Sequence, residues 1–179
     1  FLYFKNKLKV VLILSILLSM VFLTLNLVKP ENYDKTLMPA LQSPWFIPHV
    51  VIYILGYAML GITFILSTWT LIIRKNSLQT MQVIHNLVVI GYVCLSMGMV
   101  MGALWAKAAW GHYWAWDPKE TWALISWLIY LFYLHYAANI KNRKFQLYYL
   151  FFAFIFVLVC WLGIKYLPSA QGSIHVYGG

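Results

Sequence analysis

The sequence predicts an all-α protein, a polytopic bundle of about five transmembrane helices with a tryptophan-rich loop on one membrane face. Three observations predict it. Hydrophobic residues make up 63% of the 179 positions and charged residues only 9%, whereas soluble domains carry about 25% charged residues. The apolar positions gather into long runs, and a run of about 20 residues spans the hydrocarbon as a helix. Between the third and fourth runs stands WGHYWAWDPKETW, from Trp110 to Trp122, with four tryptophans, a tyrosine, a histidine and two carboxylates.

Taken in order, the first run covers 8–28 and opens among Lys5, Lys7 and Lys9. A cleaved signal peptide fits it less well, because the run is long for such a segment and no small-residue cleavage site follows. The second run, 49–73, opens at Pro48-His49 and ends at Arg74 and Lys75. The third, 83–104, leads into the tryptophan loop at about 105–120. The fourth, 121–140, is the shortest and reaches the basic turn of Lys141, Arg143 and Lys144; the fifth, 145–166, leaves a tail from Leu167 to Gly179. The connections are too short for a soluble domain, so the chain forms a single integral membrane domain.

Basic residues set the sidedness. One set of ends carries Lys5, Lys7, Lys9, Arg74, Lys75, Lys141, Arg143 and Lys144 with no acid; the other carries all four acids, Glu31, Asp34, Asp117 and Glu120. By the positive-inside rule the first set is cytoplasmic. The N-terminus is then inside, and the loop before His49, the tryptophan loop and the tail bearing His175 all face outward. The formal net charge of +9 therefore marks topology, and with no extended basic face a nucleic-acid partner is not expected.

Several chemistries are excluded. Cys94 and Cys160 form no CxxC pair, which removes thioredoxin-like redox and zinc-ribbon readings, and no CxxCH is present. Both read as small buried side chains. Asp117 and Glu120 resemble a carboxylate pair, but Asp117-Pro118-Lys119-Glu120 reads as N-cap, N1 proline and N3 glutamate opening the fourth helix.

The histidines carry more. A flat aromatic surface suits a large planar ligand with charged edges, and porphyrin is the candidate. His49 and His175 lie at the outer ends of two helices, where neutral imidazoles from opposite faces would ligate one iron. Each alone also reads as a polar anchor. His135 and His85 lie within spans, where ionisable residues are functional candidates and where helix–helix hydrogen bonding is the plainer reading. His112, Lys107 and Lys119 are candidates for the propionate edge.

WGHYWAWDPKETWALISWLIYLFYLH resembles the tryptophan-rich WWD signature of haem-handling proteins of cytochrome c biogenesis, closest to the CcsA/ResC type of the system II pathway. LQSPWFIPHVVIYILGYAML and GSIHVYGG resemble that family's two segments bearing external histidines. The resemblance implies His49 and His175 as axial ligands of an external haem b lying against Trp110, Trp114, Trp116, Asp117 and Trp122. It implies His135 as a ligand of an inner haem, with a CcsB-like subunit or fused domain supplying the other. Haem then passes from the inner to the outer site, embedded in membrane lipid, and is presented for thioether attachment to the CxxCH of apocytochrome c, as part of a holocytochrome c synthase. His85 matches no family position; pairing it with His135 would complete the inner site within this chain. Family members carry further helices upstream, and Phe1 is not a start methionine, so the chain is expected to be a C-terminal portion of a longer protein. A bacterial cytoplasmic membrane is expected, with a thylakoid as the other setting. Two other classes also fit parts of the sequence. A b-type cytochrome would use His85 and His135 and leave the tryptophan loop unexplained. A transporter would favour intramembrane acids, and none of the acids lies in a span.

Overall fold

The computed structural model describes residues 39–74, 77–163 and 166; the expected first span, 8–28, and the tail bearing His175 lie outside them. After a 3-10 turn at Pro39–Gln42 come four long helices: α1 (Phe46–Ile73), α2 (Leu78–Trp110), α3 (Pro118–His135) and α4 (Arg143–Leu158). A 3-10 turn, Ala137–Asn139, extends α3, and a π-helical turn, Val159–Gly163, extends α4.

Local chemistry sets the boundaries. α1 starts at Phe46, so Pro48 occupies its third position, where a backbone N–H has no intrahelical acceptor and its loss costs little. Ser77 and Asn142 cap α2 and α4, accepting from Thr80 N–H and Phe145 N–H. Gly111 ends α2 at φ 84°, the left-handed conformation that suits glycine, and donates its N–H to Lys107 O.

The helices run up and down, each antiparallel to its chain neighbour. α1 packs on α2 and α4, and α3 packs on α4 and α2, closing a ring of four. Leu60, Ile84, Val88, Leu95, Tyr130, Tyr133, Leu147, Leu150 and Val157 fill the centre.

Which residues face outward identifies the solvent. In α1 the buried positions are Gly56, Leu60, Thr63, Ser67 and Thr70, while Ile62, Ile65, Trp69 and Ile72 are exposed. A water-soluble helix would reverse that pattern. Thr63 and Thr70 return their hydroxyls to Met59 O and Leu66 O at 2.9 and 2.7 Å, so their burial leaves no unmet donor. Small and polar residues at helix contacts with branched aliphatics outside are the arrangement lipid selects. Among the described residues four helical segments are long and apolar enough to cross a membrane, and the protein is an integral membrane protein. At about 1.5 Å per residue α2, with 33 residues, is about 50 Å long, against a hydrocarbon core of about 30 Å. It therefore extends well beyond the core, and Trp110 sits on its last turn rather than in the loop.

Candidate functional site

His49 lies in the first turn of α1 and turns toward α2, where its Nδ1 donates to Gly98 O at 2.9 Å. A carbonyl can only accept, so the proton is on Nδ1 and the lone pair on Nε2, the form in which imidazole ligates iron. The ring fits because α2 offers no side chain beneath it. A Cβ on Gly102 would stand 2.7 Å from His49 Cε1, and one on Gly98 would stand 2.7 Å from the Tyr53 ring. Gly98-Met99-Val100-Met101-Gly102 thus acts as a small-xxx-small groove that admits His49 and Tyr53 from α1.

Aromatic rings enclose the histidine. Tyr53 meets it edge-on at 4.9 Å between centroids, and Trp105 lies tilted by 32° at 5.4 Å. Trp105 is itself buried and contacts Phe46 at 5.3 Å and Trp110 at 4.9 Å. Trp105, Tyr53 and the two glycines were not singled out from sequence. The GxxxG spacing was the available signal, since in an apolar helix it marks a close-approach face.

The loop after Gly111 is built around one carboxylate. Asp117 accepts from Lys119 N–H at 2.9 Å, and Glu120 Oε2 accepts from Asp117 N–H at 3.2 Å, so the expected capping box is present. Glu120 Oε2 also accepts from Ala115 N–H at 2.8 Å. Drawing two alternate N–H groups to one anion makes a backbone nest, and the residue between them turns left-handed. That residue is Trp116, at φ 57° and 68% exposed. A non-glycine residue there costs about 1–2 kcal/mol. Both acids are buried and hold main-chain donors, which is a structural task rather than that of a catalytic pair. Trp114 meets Trp116 edge-on at 5.8 Å, and its indole Nε1 is buried with no hydrogen-bond partner among the described residues. Such a donor is ready for an anionic or carbonyl edge of a ligand.

The motif's four tryptophans therefore divide. Trp110 joins Trp105 and His49, Trp114 pairs with Trp116 on the loop, and Trp122 lies on α3 against Phe156 at 6.2 Å. His112 is exposed, and Lys107 donates to Gly111 O while standing 5.4 Å over the Tyr113 ring. Near the same end, Cys160 Sγ lies 3.8 Å from both the Tyr57 hydroxyl and Lys119 O, linking α1, α3 and the π turn.

Of the described histidines, His85 and His135 lie toward the other end. His135, exposed on the last turn of α3, has Nδ1 3.1 Å from Leu131 O, which again leaves the lone pair on Nε2. His85 stands 6.4 Å from the Tyr133 ring and lines a cleft whose walls do not include His135.

A family model described as Cytochrome C assembly protein matches residues 2–170. The cytochrome c biogenesis protein CcsA of Chlamydomonas reinhardtii is 36% identical over 174 residues, covering 90% of this chain and 48% of that protein. CcsA of Prochlorococcus marinus strain AS9601 is 34% identical over 197 residues, with 90% and 63% covered. CcsA of Welwitschia mirabilis is 35% identical over 201 residues, with 92% and 65% covered. The chain thus spans about half to two thirds of the length of these relatives.

Proposed function

The chain belongs to the cytochrome c assembly protein family, and from that premise we propose that it handles haem for the assembly of cytochrome c. Haem b, as substrate, is held between His49 and His175 beside the tryptophan loop and presented to the CxxCH of apocytochrome c. The observation that carries this reading is His49. Its Nδ1–H is anchored on Gly98 O, so the ring is held with Nε2 as the iron-binding atom. The aromatic neighbours Tyr53 and Trp105 suit a planar, mostly apolar macrocycle. The buried Trp114 Nε1–H suits a propionate, and the outward Trp116 ring suits the porphyrin face. Asp117 and Trp122 contribute by fixing where the loop passes into α3.

Positioning is what these residues supply. In the attachment step each cysteine thiol adds across a haem vinyl group, its hydrogen going to one carbon and its sulfur to the other. That chemistry belongs to haem and apocytochrome. His135 would serve an inner site together with a CcsB-like subunit or fused domain. We assign the membrane as a bacterial cytoplasmic membrane, with the tryptophan loop on its outer side, and the thylakoid as the alternative setting.

The test is the absorption spectrum of the detergent-purified chain, oxidised and reduced, beside His49→Ala and His175→Ala. A low-spin haem spectrum that each variant loses, and that added imidazole restores, is expected. Haem bound with the same spectrum in both variants would sink the external bis-histidine site.

A further inference from the structure

At the end of the bundle away from the tryptophan loop, a cleft of about 450 Å³ opens between the start of α2, the end of α3 and the start of α4. That volume lies in the range of small-molecule sites, about 300–1,000 Å³. Leu134 and Ala138 give its lining apolar surface, and Gln82, His85, Arg143 and Gln146 give it polar groups.

Its surroundings are those of the lipid headgroup layer. The first turns of α2 are polar and exposed at Gln79, Gln82 and Asn86, with Gln82 Nε2 donating to Asn86 Oδ1 at 2.9 Å. The α3–α4 connection and the first turn of α4 carry Lys141, Arg143 and Lys144, and the described acids, Asp117 and Glu120, both lie at the opposite end. The wall is also preformed. Gln146 Nε2 donates to Ala138 O at 3.1 Å and Ile140 O at 2.7 Å, and Asn139 Nδ2 donates to His135 O at 2.9 Å. These intrachain bonds tie the turn to the ends of α3 and α4, so little ordering cost remains for binding.

We propose that this cleft is a binding site for an anionic phospholipid. Arg143 takes the phosphodiester, because a guanidinium presents a planar fork of donors to phosphate oxygens. The first acyl carbons lie along Leu134 and Ala138. A zwitterionic lipid brings its own cation into a setting where the described charged residues are basic, and binds more weakly. The inference rests on Arg143, Leu134 and Ala138, which the haem reading does not use, and it stands or falls separately from that reading.

Native mass spectrometry of the full chain, delipidated in detergent and titrated with phosphatidylglycerol, reads it directly. One phosphatidylglycerol per chain is expected, at least about tenfold more tightly held than phosphatidylcholine and not displaced by millimolar inorganic phosphate. Arg143→Gln should lower retention about tenfold, whereas Arg74→Gln, which removes a cation outside the cleft walls, should not. Ala138→Phe fills the apolar side and should also lower retention with every cation kept. The site is overturned if the two lipids bind alike or if inorganic phosphate displaces the lipid. It is equally overturned if Arg74→Gln matches Arg143→Gln, or if Ala138→Phe, eluting as a single species, retains full binding.

Discussion

In His49 and in His135 the ring Nδ1 meets a main-chain carbonyl, Gly98 O at 2.9 Å and Leu131 O at 3.1 Å. The two bonds orient the same atom, Nε2, yet they differ in what supplies the acceptor. His135 takes it from the preceding turn of its own helix, so forming α3 is enough. His49 takes it from α2, 49 residues along the chain, and requires glycine at the point of closest approach. The orientation of one is a local property, and that of the other is a property of the packed helix pair.

The largest break in that contrast is Gly102→Val. Its Cβ would fall 2.7 Å from the His49 ring, which must rotate or push α1 away. Overpacking of this kind costs up to about 3 kcal/mol, so a thermal melt in detergent should drop by several degrees. The bond to Gly98 O should be lost with it, and with it the haem spectrum attributed to His49. An unshifted melt with an intact spectrum would mean that His49 is not seated by the glycine groove.

Glu120→Leu comes next. It strands Ala115 N–H and the buried Asp117 N–H, and losing the acceptor of a buried donor costs about 1–3 kcal/mol. Faster hydrogen exchange at those two amides, with no change at the α1–α2 contact, is the expected reading. Glu120→Gln keeps an acceptor oxygen and should lose less.

Trp116→Gly has the opposite sign. It relieves a left-handed φ of 57° and should raise stability by about 1 kcal/mol while haem retention falls. A gain in both would show that the strained turn has no part in holding the ligand.

The smallest effect belongs to the local histidine. Asn139→Ala removes a hydrogen bond to His135 O but leaves the ring bond to Leu131 O, so stability should stay within about 0.5 kcal/mol. A large loss would mean that His135 also depends on tertiary support.

Much of this organisation was legible in the residues. Apolar runs of spanning length imply helices because lipid offers the backbone no other hydrogen-bond partners. Asp-Pro-Lys-Glu implied the start of α3, since Asp117 and Glu120 cap amides within three residues and Pro118 suits the first helical position. The capping reading therefore needed nothing beyond the chain itself.

The site was legible only in outline. His49, Trp110, Trp114 and Trp116 stood out by type, but the motif suggested one aromatic shelf, and the rings instead form separate contacts with different helices. Trp105 and Tyr53 looked like ordinary members of apolar runs. Their part comes from ring contacts between α1 and α2, whose rotation about one another no local pattern specifies. The left-handed turn at Trp116 was equally hidden, because it follows from Glu120 reaching back to Ala115 as well as to its own cap. Helices and caps rest on interactions within a turn or two, or with the surrounding lipid, and composition and spacing encode those. The seat of His49 and the cleft at Arg143 rest on which helix faces meet, and that is settled by packing among residues distant in the chain.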